Sequence, residues 1–429
     1  MKRVAITGVG LLTALGVGVG PTWEALVAGR SAVGPLDAYD PASLRTRIGA
    51  EIRDFRPQEF VANRRTLRMT TRGDQFALVG ATLAARDAGY DFAAADAERA
   101  GLFVGGNKDI SDPKHVLEAT LAARGDDGTV DVRAFGESAF NTAYPLFYVE
   151  GLQAASLFYI SQAFDLKGAN TYFAGTAESG ATAIGTGFRA IRRGEADVVL
   201  AGGFDDAVSW WAMSQFDTLG LLTDRNDLGA GACRPYDRDR AGTVLGEGAA
   251  FVMLEEFEAA IARGARIYAE LTGYGSAFDA YRTLTPHPEG RGLARAMTAA
   301  LREAETAPGD IGYIAAHGCG TRLGDPSEAA AIHAVFGAGD GLAASSVKPA
   351  AGHLVAAAGA LNVAVAALAL HHGALPPTLN LEHPDPACDL DWVPGAAREV
   401  RADHALALAR GLAGQNVALT LRTVTRTKD

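Results

Sequence analysis

The chain has 429 residues, 48% of them hydrophobic and rich in Gly and Ala, which is enough for two domain-sized halves of close-packed α/β structure. A net charge of −11 argues against non-specific nucleic-acid binding, which needs basic patches, and leaves room for an acidic partner only where basic residues cluster locally. Three widely spaced cysteines argue against a disulfide framework and suit a reducing cytoplasm.

Val4–Gly10 reads as an opening strand and Gly-rich turn rather than a signal peptide, and no apolar run is long and uninterrupted enough to span a bilayer. A helix begins near Thr22. A basic stretch, Arg64–Arg72, leads into a helical run over Phe76–Ala88, and Gly101–Gly106 is a short strand ended by glycines. Residues 110–133 are charged and aperiodic, a surface insertion with a helix near 113–123. Then comes an unusually aromatic segment, with Phe135, Phe140, Tyr144, Phe147, Tyr148, Phe158, Tyr159 and Phe164. Its spacing suits a core helix pair. The competing expectation is a wall of bulky side chains at a subunit interface.

The chain is organised around residues 168–194. Residues 170–174 read as a short buried strand, Gly175-Thr176-Ala177-Glu178-Ser179-Gly180 as a tight small-residue turn, and Ala181–Arg193 as a helix closed by Gly194. Strand, sharp turn and helix form an elbow that exposes a nucleophile in many acyl-transfer enzymes, with the helix N-terminus favouring a thiolate or an oxyanion. Further on, Ala249–Glu255 reads as a strand and Phe257–Arg263 as a helix. Ala269–Gly275 then echoes Val4–Gly10, and Ser346–His353 with the helix to His372-Gly373 echoes the elbow and its helix, a weak internal duplication.

These stretches resemble the β-ketoacyl synthases of the thiolase superfamily over nearly the whole chain. The elbow is similar to T-A-C-x-S-G followed by A-D-x-x-L-A-G-G, here Ala196-Asp197 to Gly202-Gly203. Cys233-Arg234-Pro235-Tyr236-Asp237 through Gly246-Glu247-Gly248 resembles the family's R-P-F-D-x-x-R stretch. His317-Gly318-Cys319-Gly320-Thr321 resembles H-G-T-G-T, and Lys348 with Gly352-His353 matches K-x-x-x-G-H. The resemblance implies a five-layered αβαβα thiolase-like fold with two pseudo-symmetric halves, residues 1–258 and 259–429. It implies a pocket where His317, His353 and Lys348 converge beside the nucleophile position, and no cofactor or metal.

Two positions depart from the pattern. Counted from either flank without a gap, Ala177 stands where the family has Cys; an alternative register with a one-residue deletion would put Glu178 there. A methyl group cannot carry an acyl chain. In G-F-G-G-x-N, here Gly411-Leu412-Ala413-Gly414-Gln415-Asn416, Leu412 replaces a gating Phe. Cys319 replaces a Thr and reads as packing.

Three functions follow from the resemblance. One is a chain-length-factor subunit of a type II polyketide or fatty acid synthase. It would pair with a catalytic ketosynthase paralogue, act on acyl carrier protein in the cytoplasm, and shape the partner's tunnel with Phe140, Tyr144 and Phe147. The second is a malonyl-carrier-protein decarboxylase using the His pair. The third is a ketosynthase, self-paired, whose Cys has been replaced by Ala. None involves nucleic acid or a membrane.

Overall fold

The computed structural model describes residues 1–107, 113–142, 147–337 and 341–424, without the side chain of residue 148. Its frame is one strand order used twice. The first half contains β1 (Val4–Thr13), β2 (Ala100–Gly106), β3 (Asn170–Ala174), β4 (Val198–Asp205) and β5 (Gly248–Glu256), arranged β3-β2-β4-β5-β1. The second contains β6 (Ala269–Phe278), β7 (Ile311–Ala315), β8 (Ala343–Ser345), β9 (His404–Arg410) and β10 (Gln415–Arg422), arranged β8-β7-β9-β10-β6.

In each half the first strand runs antiparallel to the fifth, and the fifth antiparallel to the fourth. The fourth, second and third are parallel. The duplication suspected from two short echoes thus extends to whole-sheet topology. The halves join where Val4, Ala5 and Ile6 of β1 face Leu271, Glu270 and Ala269 of β6.

Helices complete five layers. α1 (Arg72–Ala88) covers β1 and β5 on one outside, and α5 (Arg291–Ala304) covers β6 and β10 on the other. Between the sheets lie α4 (Ser179–Arg192), following β3, and α7 (Ala358–His372), following β8. The apolar stretch Val355–His372 is 18 residues long with mean hydropathy 1.6, long and apolar enough to cross a bilayer, contrary to the reading from sequence. It is 89% buried inside the protein, because a helix between two sheets must be apolar all round.

Local boundaries follow capping chemistry. α1 begins at Arg72 rather than Phe76, because Thr71 Oγ1 accepts the Asp74 N–H at 3.2 Å and the Asp74 carboxylate accepts the Thr71 N–H at 3.2 Å. α4 ends as expected, with Gly194 at φ 74° accommodating the left-handed turn.

The strand at 170–174 is present but not buried. Among the described residues it is the edge of the sheet, paired only with β2, and Asn170, Thr171 and Ala174 are exposed. The aromatic segment is also not a core helix pair. α2 (Val132–Thr142) buries no residue and Phe140 is 87% exposed; on α3 (Ala155–Phe164) Tyr159 is buried but Phe158 is 57% exposed. Tyr144 lies outside the described residues.

The inner helices approach so closely that backbone meets backbone. A Cβ on Gly203 would lie 2.5 Å from the Ala356 carbonyl oxygen and 3.0 Å from the Gly180 Cα. Neither neighbour can move without shifting a helix start. Gly203→Ala should therefore cost about 1–3 kcal/mol through overpacking, seen as a lower urea midpoint with an unchanged slope; an unchanged midpoint would show that the crossing is loose.

Candidate active site

The elbow forms as the spacing predicts. β3 delivers the chain to Thr176, and the Ser179 N–H and Oγ both donate to the Thr176 carbonyl, at 3.0 and 2.9 Å. α4 starts at once. Ala177, 2% exposed, sits at the bend, and its carbonyl accepts the Gly359 N–H of α7 at 3.0 Å. That bond ties the elbow of one half to the central helix of the other.

The equivalent turn of the second half presents His353. Its backbone pairs with the segment before β5: the His353 N–H donates to the Val244 carbonyl at 2.8 Å, and the Gly246 N–H to the His353 carbonyl at 3.0 Å. Gly352, at φ 73°, lies against the Gly246 backbone, so both its conformation and the absence of a side chain are required. The His353 Nδ1 accepts the Val355 N–H at 3.0 Å, which leaves the hydrogen of the neutral ring on Nε2. Val355 holds φ 37°, an unfavourable conformation for a β-branched residue, stored beside the pocket.

His317 is presented by the turn after β7. Glu328, on α6 (Gly324–Phe336), is 1% exposed and accepts the N–H groups of His317 at 2.7 Å and Gly318 at 2.8 Å, with the Tyr236 hydroxyl at 3.1 Å. Asp325 accepts the Tyr236 and Gly320 N–H groups, at 2.8 and 3.1 Å. Burial pushes Asp325 up to about 7. Arg240 donates to the carbonyls of Thr321 and Arg322 at 3.1 Å and to Asp385 at 2.6 Å. The Arg234–Arg240 segment, which carries the resemblance to the R-P-F-D-x-x-R stretch, thus braces the His317 turn.

The two imidazoles meet edge to face, ring centroids 5.6 Å apart at 81°. Burial, then the Lys348 ammonium, hold both well below the usual histidine range, so both are neutral at physiological pH. Lys348 is 3% exposed and donates to the His317 carbonyl; burial also lowers its own pKa.

Ala177, His317, His353 and Leu412 line one apolar cavity of about 90 Å³, together with Thr176, Phe216, Thr243, Cys319, Arg410 and Asn416. Three of the residues expected to converge do so: Ala177, His317 and His353. Lys348 lies behind His317, bonded to its carbonyl, and is not part of the cavity's lining. Phe140 and Phe147 are not part of this cavity's lining. Cys319 reaches the cavity, with its sulfur 3.3 Å from the Thr321 hydroxyl, and burial pushes its thiol up to about 11. It is a protonated thiol at neutral pH and a poor nucleophile.

Glu328 and Asp325 escaped the sequence reading. Their one signal was a pair of carboxylates three residues apart at the start of an alanine-rich helix. The described residues also bring Asp237, Asp239 and His383 within mutual reach, but the Asp237 carboxylate is already used by the N–H groups of Asp239, Glu382 and His383 and by the Arg234 guanidinium.

Comparison with known proteins agrees over the whole length. Residues 1–260 match the β-ketoacyl synthase N-terminal domain and residues 268–382 the C-terminal domain. The chain is 38% identical over 425 residues to 3-oxoacyl-[acyl-carrier-protein] synthase 2 of Coxiella burnetii, covering 99% of both chains. It is 37% identical over 430 residues to the tetracenomycin polyketide synthase ketoacyl synthase alpha subunit of Streptomyces glaucescens, covering 100% of this chain and 99% of that one. Among solved structures, the ishigamide ketosynthase/chain length factor superposes with a TM-score of 0.87 at 31% identity, over 99% of this chain and 100% of that one. A type II polyketide synthase acyl-carrier protein in complex with its ketosynthase bound to the hexaketide gives 0.86 at 28%, with the same coverage. With both domains matched in order on a thiolase-like fold, the chain belongs to the β-ketoacyl synthase family.

Proposed function

We propose that this chain is the chain-length-factor subunit of a type II ketosynthase heterodimer, working in the cytoplasm on acyl chains carried by acyl carrier protein. The observation that carries the reading is Ala177: the elbow, cavity and His pair are assembled around a methyl group, which forms no thioester. A partner would supply the thiol, decarboxylate the extender and form the carbon–carbon bond.

Three further features support it. The open edge of β3 offers a row of backbone groups for a second sheet to extend. Apolar side chains are exposed nearby in sequence, at Leu121, Phe140 and Phe158, and solved relatives include a ketosynthase/chain length factor. On a chain of net charge −11, Arg64, Arg65 and Arg68 are exposed within five residues, a local positive patch for an acidic carrier protein. The interface would be of the obligate class, about 2,000 Å² or more.

The geometry of the His pair favours a second reading, malonyl-carrier-protein decarboxylation. A neutral His353 with its hydrogen on Nε2, beside a neutral His317, can stabilise an enolate without a nucleophile.

Three outcomes test these readings. The isolated chain, incubated with labelled acyl carrier protein, should take up no covalent acyl group; stable labelling would sink the chain-length-factor reading. Co-expression with a Cys-containing ketosynthase should give a stable pair in which Phe140→Ala or Phe147→Ala lengthens the product by mass analysis; unchanged length in a folded pair would reject a tunnel role. If the chain decarboxylates, carbon dioxide release should be flat from pH 8 to 6.5. It should fall only at lower pH, because the folded imidazoles bind protons well below 6.5 and a protonated Nδ1 could no longer accept from Val355. A decline already beginning near pH 7 would point to a different titrating group.

A further inference from the structure

The loop over the cavity, residues 411–414, spends three of its N–H groups locally. Gly411 donates to the Gln415 carbonyl at 2.8 Å, Ala413 to the Gln415 side chain at 3.2 Å and Gly414 to the Gly411 carbonyl at 3.2 Å. The Leu412 N–H alone crosses to the elbow, where the Thr176 hydroxyl accepts it at 3.1 Å. That hydroxyl donates in turn to a Glu178 carboxylate oxygen at 3.1 Å. Glu178 is 6% exposed and packed against Gly175 and Gly411, so the chain of bonds ends on a group that has little freedom to swing away.

Thr176 and Leu412 both line the cavity, next to Ala177. An acyl group transferred at position 177 develops negative charge on its carbonyl oxygen, and a backbone N–H aimed at the elbow is the kind of donor that stabilises it. A hydroxyl has one hydrogen and two lone pairs. Here the hydrogen is given to Glu178, and a lone pair faces the Leu412 N–H, where an incoming oxygen would have to sit. In the family pattern the residue preceding Cys is Ala, which has no group to occupy this N–H.

We infer that Thr176, anchored by Glu178, caps the Leu412 amide and closes the elbow to acyl transfer independently of the missing thiol. This rests on the non-condensing reading of the site, and it makes a prediction that reading alone does not: restoring the nucleophile does not restore loading.

The test uses the full chain with Ala177→Cys alone, and the same change combined with Thr176→Val or with Thr176→Ser. Valine keeps the volume without the hydroxyl; serine keeps the hydroxyl. Iodoacetamide labelling, mapped to position 177 by peptide mass, reports whether the introduced thiol is accessible. Acyl loading from octanoyl acyl carrier protein reports transfer. In that step the introduced thiolate forms a bond to the thioester carbon, the carrier's carbon–sulfur bond breaks, and the carrier thiol leaves with the proton lost from the introduced thiol.

All three should alkylate at similar rates. Ala177→Cys and its Thr176→Ser companion should load slowly, and the Thr176→Val companion about 100-fold faster or more, the range associated with one oxyanion donor. Equal loading by the Val and Thr forms would overturn the inference. A second readout needs no thiol. Hydrogen exchange at the Leu412 amide should accelerate in Thr176→Val and stay slow in Thr176→Ser, and unchanged exchange in the Val variant would also overturn it. Acyl uptake by the unmodified chain is a separate measurement, so failure of the underlying reading is distinguishable from failure of the cap.

Discussion

The structure depends on one steric constraint, the backbone-to-backbone approach of the two half-molecules at their elbow turns. Gly180 and Gly203 of the first half lie against Ala356 of the second, and the Ala177 carbonyl accepts the Gly359 N–H. Only small residues permit this. Because the two inner helices start there, their N-termini open onto the same cavity, and each half contributes what its own turn carries: Ala177 from one and His353 from the other. His317, from the turn after β7, joins them. A bulkier residue at any of these contacts would separate the turns, and a site built from residues 177, 317 and 353 would become three unrelated surfaces.

The His residues are held by hydrogen bonds to the backbone of their turns. Two buried carboxylates, Glu328 and Asp325, take up the backbone N–H groups of the His317 turn, while Tyr236 packs its ring on Trp392 at 3.4 Å and donates to Glu328. Buried carboxylates are tolerated only where such donors surround them. This bracing surrounds an elbow whose central side chain is a methyl, so the scaffold and the nucleophile have been separated. The retained framework accounts for the full-length match to catalytic synthases without requiring that this chain carry out condensation.

Much of this was legible in the sequence. The elbow at 168–194 and the duplication rest on local signals: small residues at a turn, a Gly after a helix, a repeated strand and glycine pattern; the two His turns were legible through their resemblance to family motifs. What was not legible depended on partners far along the chain. The start of α1 was hidden by the charged run Arg64–Arg72, which masked the Thr71–Asp74 cap. The bonding of Thr176 involves Leu412, 236 residues away. Periodicity placed Phe140 and Phe158 on helices, but could not distinguish a face that meets a core from one left uncovered. The same ambiguity made β3 look buried: its small and aromatic residues suit a covered strand, and Tyr172 and Phe173 do pack partly against the core, but among the described residues no strand pairs with its outer edge.

That edge strand bears on how the protein is made. Asn170–Ala174 contains no proline, lysine or glutamate to discourage pairing, and among the described residues no second strand pairs along its outer edge, where an extended segment could add. A chain released from the ribosome without a fitting neighbour is exposed to mispairing and precipitation for as long as it waits. If the chain pairs as proposed, balanced synthesis of the two subunits would serve solubility as much as product formation.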